Sequence, residues 1–183
     1  MESEAPNPLP FEFATIRAER LLLRPVMPGD LADLLAINGD DVVTRHLPYA
    51  SWRDLDDAQA WLQRADTRLA AGEAAQWVVV ELATGRVIGG CLLFHFDRER
   101  ASADIGYVLA RQWWRNGWMS EAVQALIGFA FGSAGLRVLE AIVEPENVAS
   151  TRLLERFGFT RYEAPPAFVA GDDGPLLHYR LER

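Results

Sequence analysis

The run Trp114-Arg115-Asn116-Gly117-Trp118-Met119-Ser120 places a glycine at the tightest point between a strand-like stretch and an amphipathic helical pattern. A junction of this kind can hold phosphates. The leading N–H groups of a helix lack intrahelical acceptors and point one way, the helix dipole adds positive charge, and glycine permits close backbone approach. Asn116-Gly117 is equally the dipeptide of an ordinary connecting turn. A second segment, Glu144-Pro145-Glu146-Asn147-Val148-Ala149-Ser150-Thr151-Arg152, opens another helix behind a strand and runs to Gly158. Asn147 fits an N-cap and Gly158 a helix stop. An Asn side chain at such a junction can also bond an amide-bearing ligand.

Elements that must position these segments follow from periodicity. A strand over 15–25 stops at Pro25, and Asp30 is expected to cap a helix carrying Leu31, Leu34, Leu35 and Ile37. A second helix covers 54–71, with an irregular segment, 44–49, between the two. Strands at 76–82 and 87–96 form a hairpin through Ala83-Thr84-Gly85-Arg86, and a third strand spans 101–110. Then come a helix over 119–131, a strand over 138–144, a helix over 148–157, and strands over 159–163 and 176–181. The sum is one mixed α+β sheet, with residues 1–13 expected as a flexible tail and 14–183 as one domain.

Composition narrows the classes. The chain has 183 residues, half of them apolar, enough for a core without staples. Cys91 is the single cysteine, so no internal disulfide forms, and its apolar surroundings read as core. A net charge of −8 argues against nucleic acid and is compatible with a cationic substrate. The N-terminus has neither a basic start nor an apolar run, and no stretch approaches the roughly 20 apolar residues of a membrane span. A reduced, cytoplasmic setting with no membrane partner is the expectation, and a homodimer stays open.

Both segments belong to a wider set: Arg20-Leu21-Leu22-Leu23-Arg24-Pro25, Val87-Ile88-Gly89-Gly90, Asp104-Ile105-Gly106-Tyr107, residues 114–122, and Asn147-Val148-Ala149-Ser150-Thr151-Arg152 through Gly158-Phe159. In this order and spacing, over almost the whole chain, the set resembles the GNAT superfamily of N-acetyltransferases, in particular the branch that includes ribosomal-protein N-terminal acetyltransferases. The resemblance implies a mostly antiparallel sheet flanked by helices and splayed open between 101–110 and 138–144. Acetyl-CoA would lie in the gap as co-substrate, with no metal. Pantetheine would pair with the backbone of Val108, Leu109 and Ala110. The pyrophosphate would rest on the N–H groups of Arg115, Asn116, Gly117, Trp118, Met119 and Ser120. Asn147 would touch the pantetheine arm; Arg152 or Arg156 would reach the adenosine phosphates or simply face solvent.

Two departures stand out. Arg115 and Met119 occupy positions where the family often has glycine or another small residue, and Leu154 replaces the tyrosine that many members use as general acid. Ser150, one helical turn earlier, is the expected substitute, with a capping or packing serine as the alternative. Transfer also requires a neutral amine, so a base must take a proton. Asp104 and Glu144 are the leading candidates, ahead of Glu140, His95 and His178. A backbone N–H near Val108 or Leu109 would hold the oxyanion. His46, Tyr49 and Trp52 would shape the acceptor site or belong to the core. The expected function is acetyl transfer to a primary amine, of a protein N-terminus or a small molecule; the alternative is a non-catalytic acyl-CoA-binding module. A serine hydrolase has no G-x-S-x-G elbow to stand on.

Overall fold

A computed structural model describes residues 8–163 and 176–183. The expected first strand is two short ones, β1 (Ile16–Arg17) and β2 (Leu21–Pro25), paired antiparallel. A 3₁₀ turn leads into α1 (Leu31–Asn38), followed by α2 (Asp41–Thr44) and α3 (Leu55–Ala70). Asp54 caps α3 by accepting from the N–H groups of Asp56 and Asp57. The hairpin strands are β3 (Ala74–Glu81) and β4 (Val87–Asp97), followed by β5 (Ser102–Leu109), α4 (Trp118–Phe131), β6 (Val138–Val143), α5 (Val148–Arg156), β7 (Thr160–Tyr162) and β8 (Leu177–Glu182). The eight strands form one sheet in the order β1-β2-β3-β4-β5-β6-β8-β7. Every pairing is antiparallel except that of β5 with β6.

Strand alternation divides the core between the two faces of the sheet. Leu23, Trp77, Val79, Ile88 and Leu93 pack against Ala122, Val123 and Leu126 of α4 and Leu154 of α5. Val78, Val80 and Val108 turn to the other face, against Leu31, Leu34 and Ile37 of α1 and Ala58 and Leu62 of α3. Cys91 is fully buried, and burial pushes its thiol up to about 12, which fits an inert core residue.

Two expectations change. Asp30 does not cap α1. Its carboxylate accepts both Arg24 guanidinium nitrogens, at 2.7 and 2.8 Å, and the Met27 N–H at 2.8 Å. Burial alone would raise this carboxyl, but the bonds from Arg24 and Met27 outweigh it and hold it below its usual value. The stability that this pair contributes is therefore present above the unfolded carboxylate's pKa of about 4 and lost as pH falls through the lower folded value. Asp30→Asn is expected to destabilise the fold by about 1–3 kcal/mol at neutral pH. Thermal melts should show the gap from wild type closing as the pH falls below the carboxylate range.

The expected tail is packed over its last residues. Phe11 meets Phe96 and Phe129 edge-on at 5.5 Å, Phe13 meets Trp77 at 4.7 Å, and the Trp77 indole N–H donates to Ala14 O at 2.8 Å. Aromatic burial outweighs the acidic, proline-rich look of this stretch.

Candidate active site

β5 and β6 pair only at Ser102–Val138, Ala103–Leu139 and Asp104–Glu140. Beyond that point β6 stays with β8 while β5 stays with β4, so the sheet opens into a wedge. Strand alternation decides which backbone groups of β5 face it. The Ala110 N–H donates to Ile88 O on β4 at 2.8 Å, and Val108 O lies 2.3 Å from where a Gly89 Cβ would stand, so both residues turn their backbone toward β4. Tyr107 and Leu109, in alternate register, present theirs to the opening. Of the three residues expected to pair with pantetheine, only Leu109 faces the gap, and its carbonyl already accepts the Trp114 indole N–H at 2.8 Å. Tyr107 supplies the second open position.

The turn of residues 114–120 follows β5 and opens α4. Gly117 is left-handed, with φ +78, and is the N-cap of α4. No side chain caps the helix, and the first helical bond in the turn is Glu121 N–H to Gly117 O at 3.0 Å. The amides of Trp118, Met119 and Ser120 are thus the helix's leading donors. Arg115 is also left-handed, with φ +65: the arginine keeps the conformation a glycine would take. Its backbone strain is of order 1 kcal/mol. Arg115→Gly is expected to leave acetyl-CoA affinity within about threefold, because the N–H directions are preserved; isothermal calorimetry checks it. The Asn116 side chain folds back on the turn, its Nδ2 donating to Trp114 O at 3.1 Å.

Asn147 caps α5, its side-chain oxygen accepting the Ser150 N–H at 3.2 Å. The cap fixes the amide so that its NH₂ is the end left to donate. Ser150 stands in the first turn of α5, near Tyr107. The Tyr107 hydroxyl is buried and has no hydrogen-bond partner among the described residues. Burial pushes it up to about 12, although Ser150 pulls the other way. An open strand edge, uncapped helix amides and an orphaned hydroxyl beside Ser150 fit an amide-bearing, phosphate-bearing ligand lying along the wedge. Arg152 and Arg156 lie on the exposed side of α5.

The base candidates are sorted by position. Asp104 sits at the closed end of the wedge, bonded to His95 Nδ1 at 2.9 Å; burial raises its carboxyl against the pull of His95. Glu140 is tied to Arg180 at 2.7 Å, to Arg100 at 3.2 Å and to the Tyr162 hydroxyl at 3.1 Å. Burial would raise it, but these partners win and hold it low, which suits an ion-paired anion better than a proton acceptor. His178 is buried against the Tyr162 ring at 5.9 Å. Glu144, one residue past β6, is held by His46. Trp52 is core, its ring tilted 47° against Trp61 with centroids 5.5 Å apart, and the Tyr49 hydroxyl donates to Asn38 Oδ1 at 2.8 Å. Among the described residues no cluster suits a metal ion, and no helix is long and apolar enough to cross a membrane.

Sequence reasoning gave no role to Arg20. Its guanidinium stacks 4.0 Å above the Trp118 ring and bonds Glu121 at 2.7 Å, which locks the first turn of α4 to β2. Nothing in the spacing of Arg20 and Glu121, 101 positions apart, announced this contact. Tyr107 stood inside a quoted motif, but its burial beside Ser150 was not visible in it.

Comparison with known proteins agrees with this geometry. Residues 20–160 match the acetyltransferase (GNAT) domain family. The protein p20 of Bacillus licheniformis, described as an uncharacterized N-acetyltransferase, is 35% identical over 147 residues, covering 80% of this chain and 83% of its own. YoaA of Bacillus subtilis, also described as an uncharacterized N-acetyltransferase, is 27% identical over 149 residues, covering 81% and 84%. RimJ of Mycobacterium smegmatis, solved with CoA-disulfide, shares the fold with a TM-score of 0.81 at 20% identity, covering 93% of this chain and 88% of its own. A Vibrio cholerae structure, described as a putative ribosomal-protein-serine acetyltransferase, gives 0.77 at 24% identity, covering 93% and 98%. The chain belongs to the GNAT family and is an acetyl-CoA-dependent N-acetyltransferase.

Proposed function

We propose that acetyl-CoA lies along the open edge of β5, that a primary amine approaches from the α1–α3 face, and that transfer takes place level with Tyr107 and Leu109. The observation that carries this reading is the loss of β5–β6 pairing beyond Asp104–Glu140. It leaves the backbone of Tyr107 and Leu109 facing the wedge, where an N–H can hold the negative oxygen of the reacting carbonyl. The amides of residues 115–120 hold the pyrophosphate, the Asn147 NH₂ holds the pantetheine arm, and Ser150 donates a proton to the departing sulfur, with the Tyr107 hydroxyl beside it. The acceptor is a protein N-terminal amine or a small-molecule amine; the ribosomal-protein-serine acetyltransferase among the structural neighbours supports the former.

Free-thiol release from acetyl-CoA tests this, with a peptide bearing a free N-terminus, lysine and spermidine as acceptors. Binding of acetyl-CoA without turnover of any amine would instead make the chain a non-catalytic binding module. Ser150→Ala is expected to lower kcat about tenfold, less than the usual range for a general acid because a serine hydroxyl is a weak one. The acetyl-CoA dissociation constant should stay within about twofold. Unchanged turnover would leave Ser150 as a packing residue of α5.

A further inference from the structure

Two segments 98 positions apart meet across the mouth of the wedge: His46 Nδ1, from the loop after α2, lies 2.5 Å from Glu144 Oε2. Glu144, one residue past the end of β6, lies four residues on from Glu140 of the Asp104–Glu140 pair, and Val108 lies four residues along β5 from Asp104. Continuing that register puts Glu144 level with Val108, between Tyr107 and Leu109. Alternation supports this placement. Val143 is buried in the α4–α5 core, so Glu144 turns to the α1–α3 face, where His46 reaches it. Ser150 and the Tyr107 hydroxyl stand on the opposite side. Asp104 is three to five residues back along β5 from the two facing amides, about 10–17 Å, out of direct reach of chemistry at that level.

We propose that His46, oriented by Glu144, is the group that takes the proton from the acceptor's ammonium. This deepens the transfer reading above and rests on it. An ionised Glu144 can only accept, so Nδ1 carries the hydrogen and Nε2 is left as the basic nitrogen. The proton moves from the ammonium to Nε2 and on to water, and the freed lone pair forms the new C–N bond. As the C–S bond breaks, its electron pair leaves with sulfur. The second proton lost from nitrogen balances the one the sulfur gains. Glu144 stabilises the imidazolium while it holds the proton. The charge that meets the imidazole is Glu144 across the opening; Asp41, Arg45 and Arg53 are the other charges of its own 39–53 segment and line a pocket there.

The test uses the full chain, acetyl-CoA, and whichever of the three amines above the wild type acetylates, with kcat followed from about pH 5.5 to about pH 9. His46→Gln is expected to lower kcat about 100-fold and to erase the acidic limb of the profile. Acetyl-CoA affinity by calorimetry should not change. Glu144→Gln should move that limb to lower pH with a smaller loss. A His46→Gln enzyme that keeps the limb, or keeps kcat within about threefold, overturns the proposal. Should that variant not fold by circular dichroism, an unmoved limb in Glu144→Gln overturns it instead. Wild-type protein that binds acetyl-CoA but acetylates no amine overturns the transfer reading itself.

Discussion

Gly117→Val is expected to weaken acetyl-CoA binding by roughly 100-fold or more while leaving the protein folded. The position has φ +78, where a β-branched residue is a steric outlier. Valine can hold that conformation, at a strain of about 1–2 kcal/mol, or relax it. Relaxation swings the N–H groups on either side away from a common direction, and each 1.4 kcal/mol of lost hydrogen bonding is about a tenfold loss of affinity. Space is not the obstacle. The nearest atom to a Cβ here is an Arg20 guanidinium nitrogen at 3.8 Å, an ordinary contact. The loss should therefore come from backbone direction, and calorimetry with acetyl-CoA beside a thermal melt separates it from unfolding. Native affinity in a folded Gly117→Val protein would remove the phosphate cradle from the 114–120 turn.

Gly89→Ala should be costly for a different reason. A Cβ at this position would meet Val108 O at 2.3 Å and Leu109 Cα at 3.2 Å, both backbone, so β4 and β5 must move apart. Overpacking of this kind destabilises by about 1–3 kcal/mol, a fall in Tm of roughly 2–10 °C for a chain of this size. The displaced strand is the one whose far edge lines the wedge, so acetyl-CoA affinity should fall with stability. Gly128→Ala is the control. It sits in α4 with nothing within 4 Å of its Cβ, and Ala is favoured over Gly in a helix by up to about 1 kcal/mol. One substitution type should thus lower Tm at 89 and raise it at 128; equal melts would show that the β4–β5 approach is not tight.

Much of the molecule was legible in residue order. Strands with β-branched alternation, helices ending at Gly132 and Gly158, and the junctions at Gly117 and Asn147 are set by local preferences, so their order and positions followed from the chain alone. The cofactor class came from the resemblance to the GNAT superfamily, which the glycine turn and Asn147 carry as parts of one linear pattern. Asp30 was misread because an acid before a helix has two uses, and the choice between them depended on Arg24, six residues away.

The finer parts of the site came from contacts that local preference does not encode. Whether Val108 or Leu109 faces the wedge depends on the register of β5 against β4, and a shift of one residue exchanges them. The partners of Glu140 and Glu144, both base candidates in the sequence, are chosen by β8 and by the loop after α2: Arg180 locks the first and His46 holds the second. Long-range pairing also put Tyr107 beside Ser150 and Arg20 over Trp118. The 114–120 turn needed only its own residues to take its left-handed, uncapped shape. The proposed acid and base on either side of the wedge needed the whole sheet, because burial and opposite charge act between groups that only folding brings near.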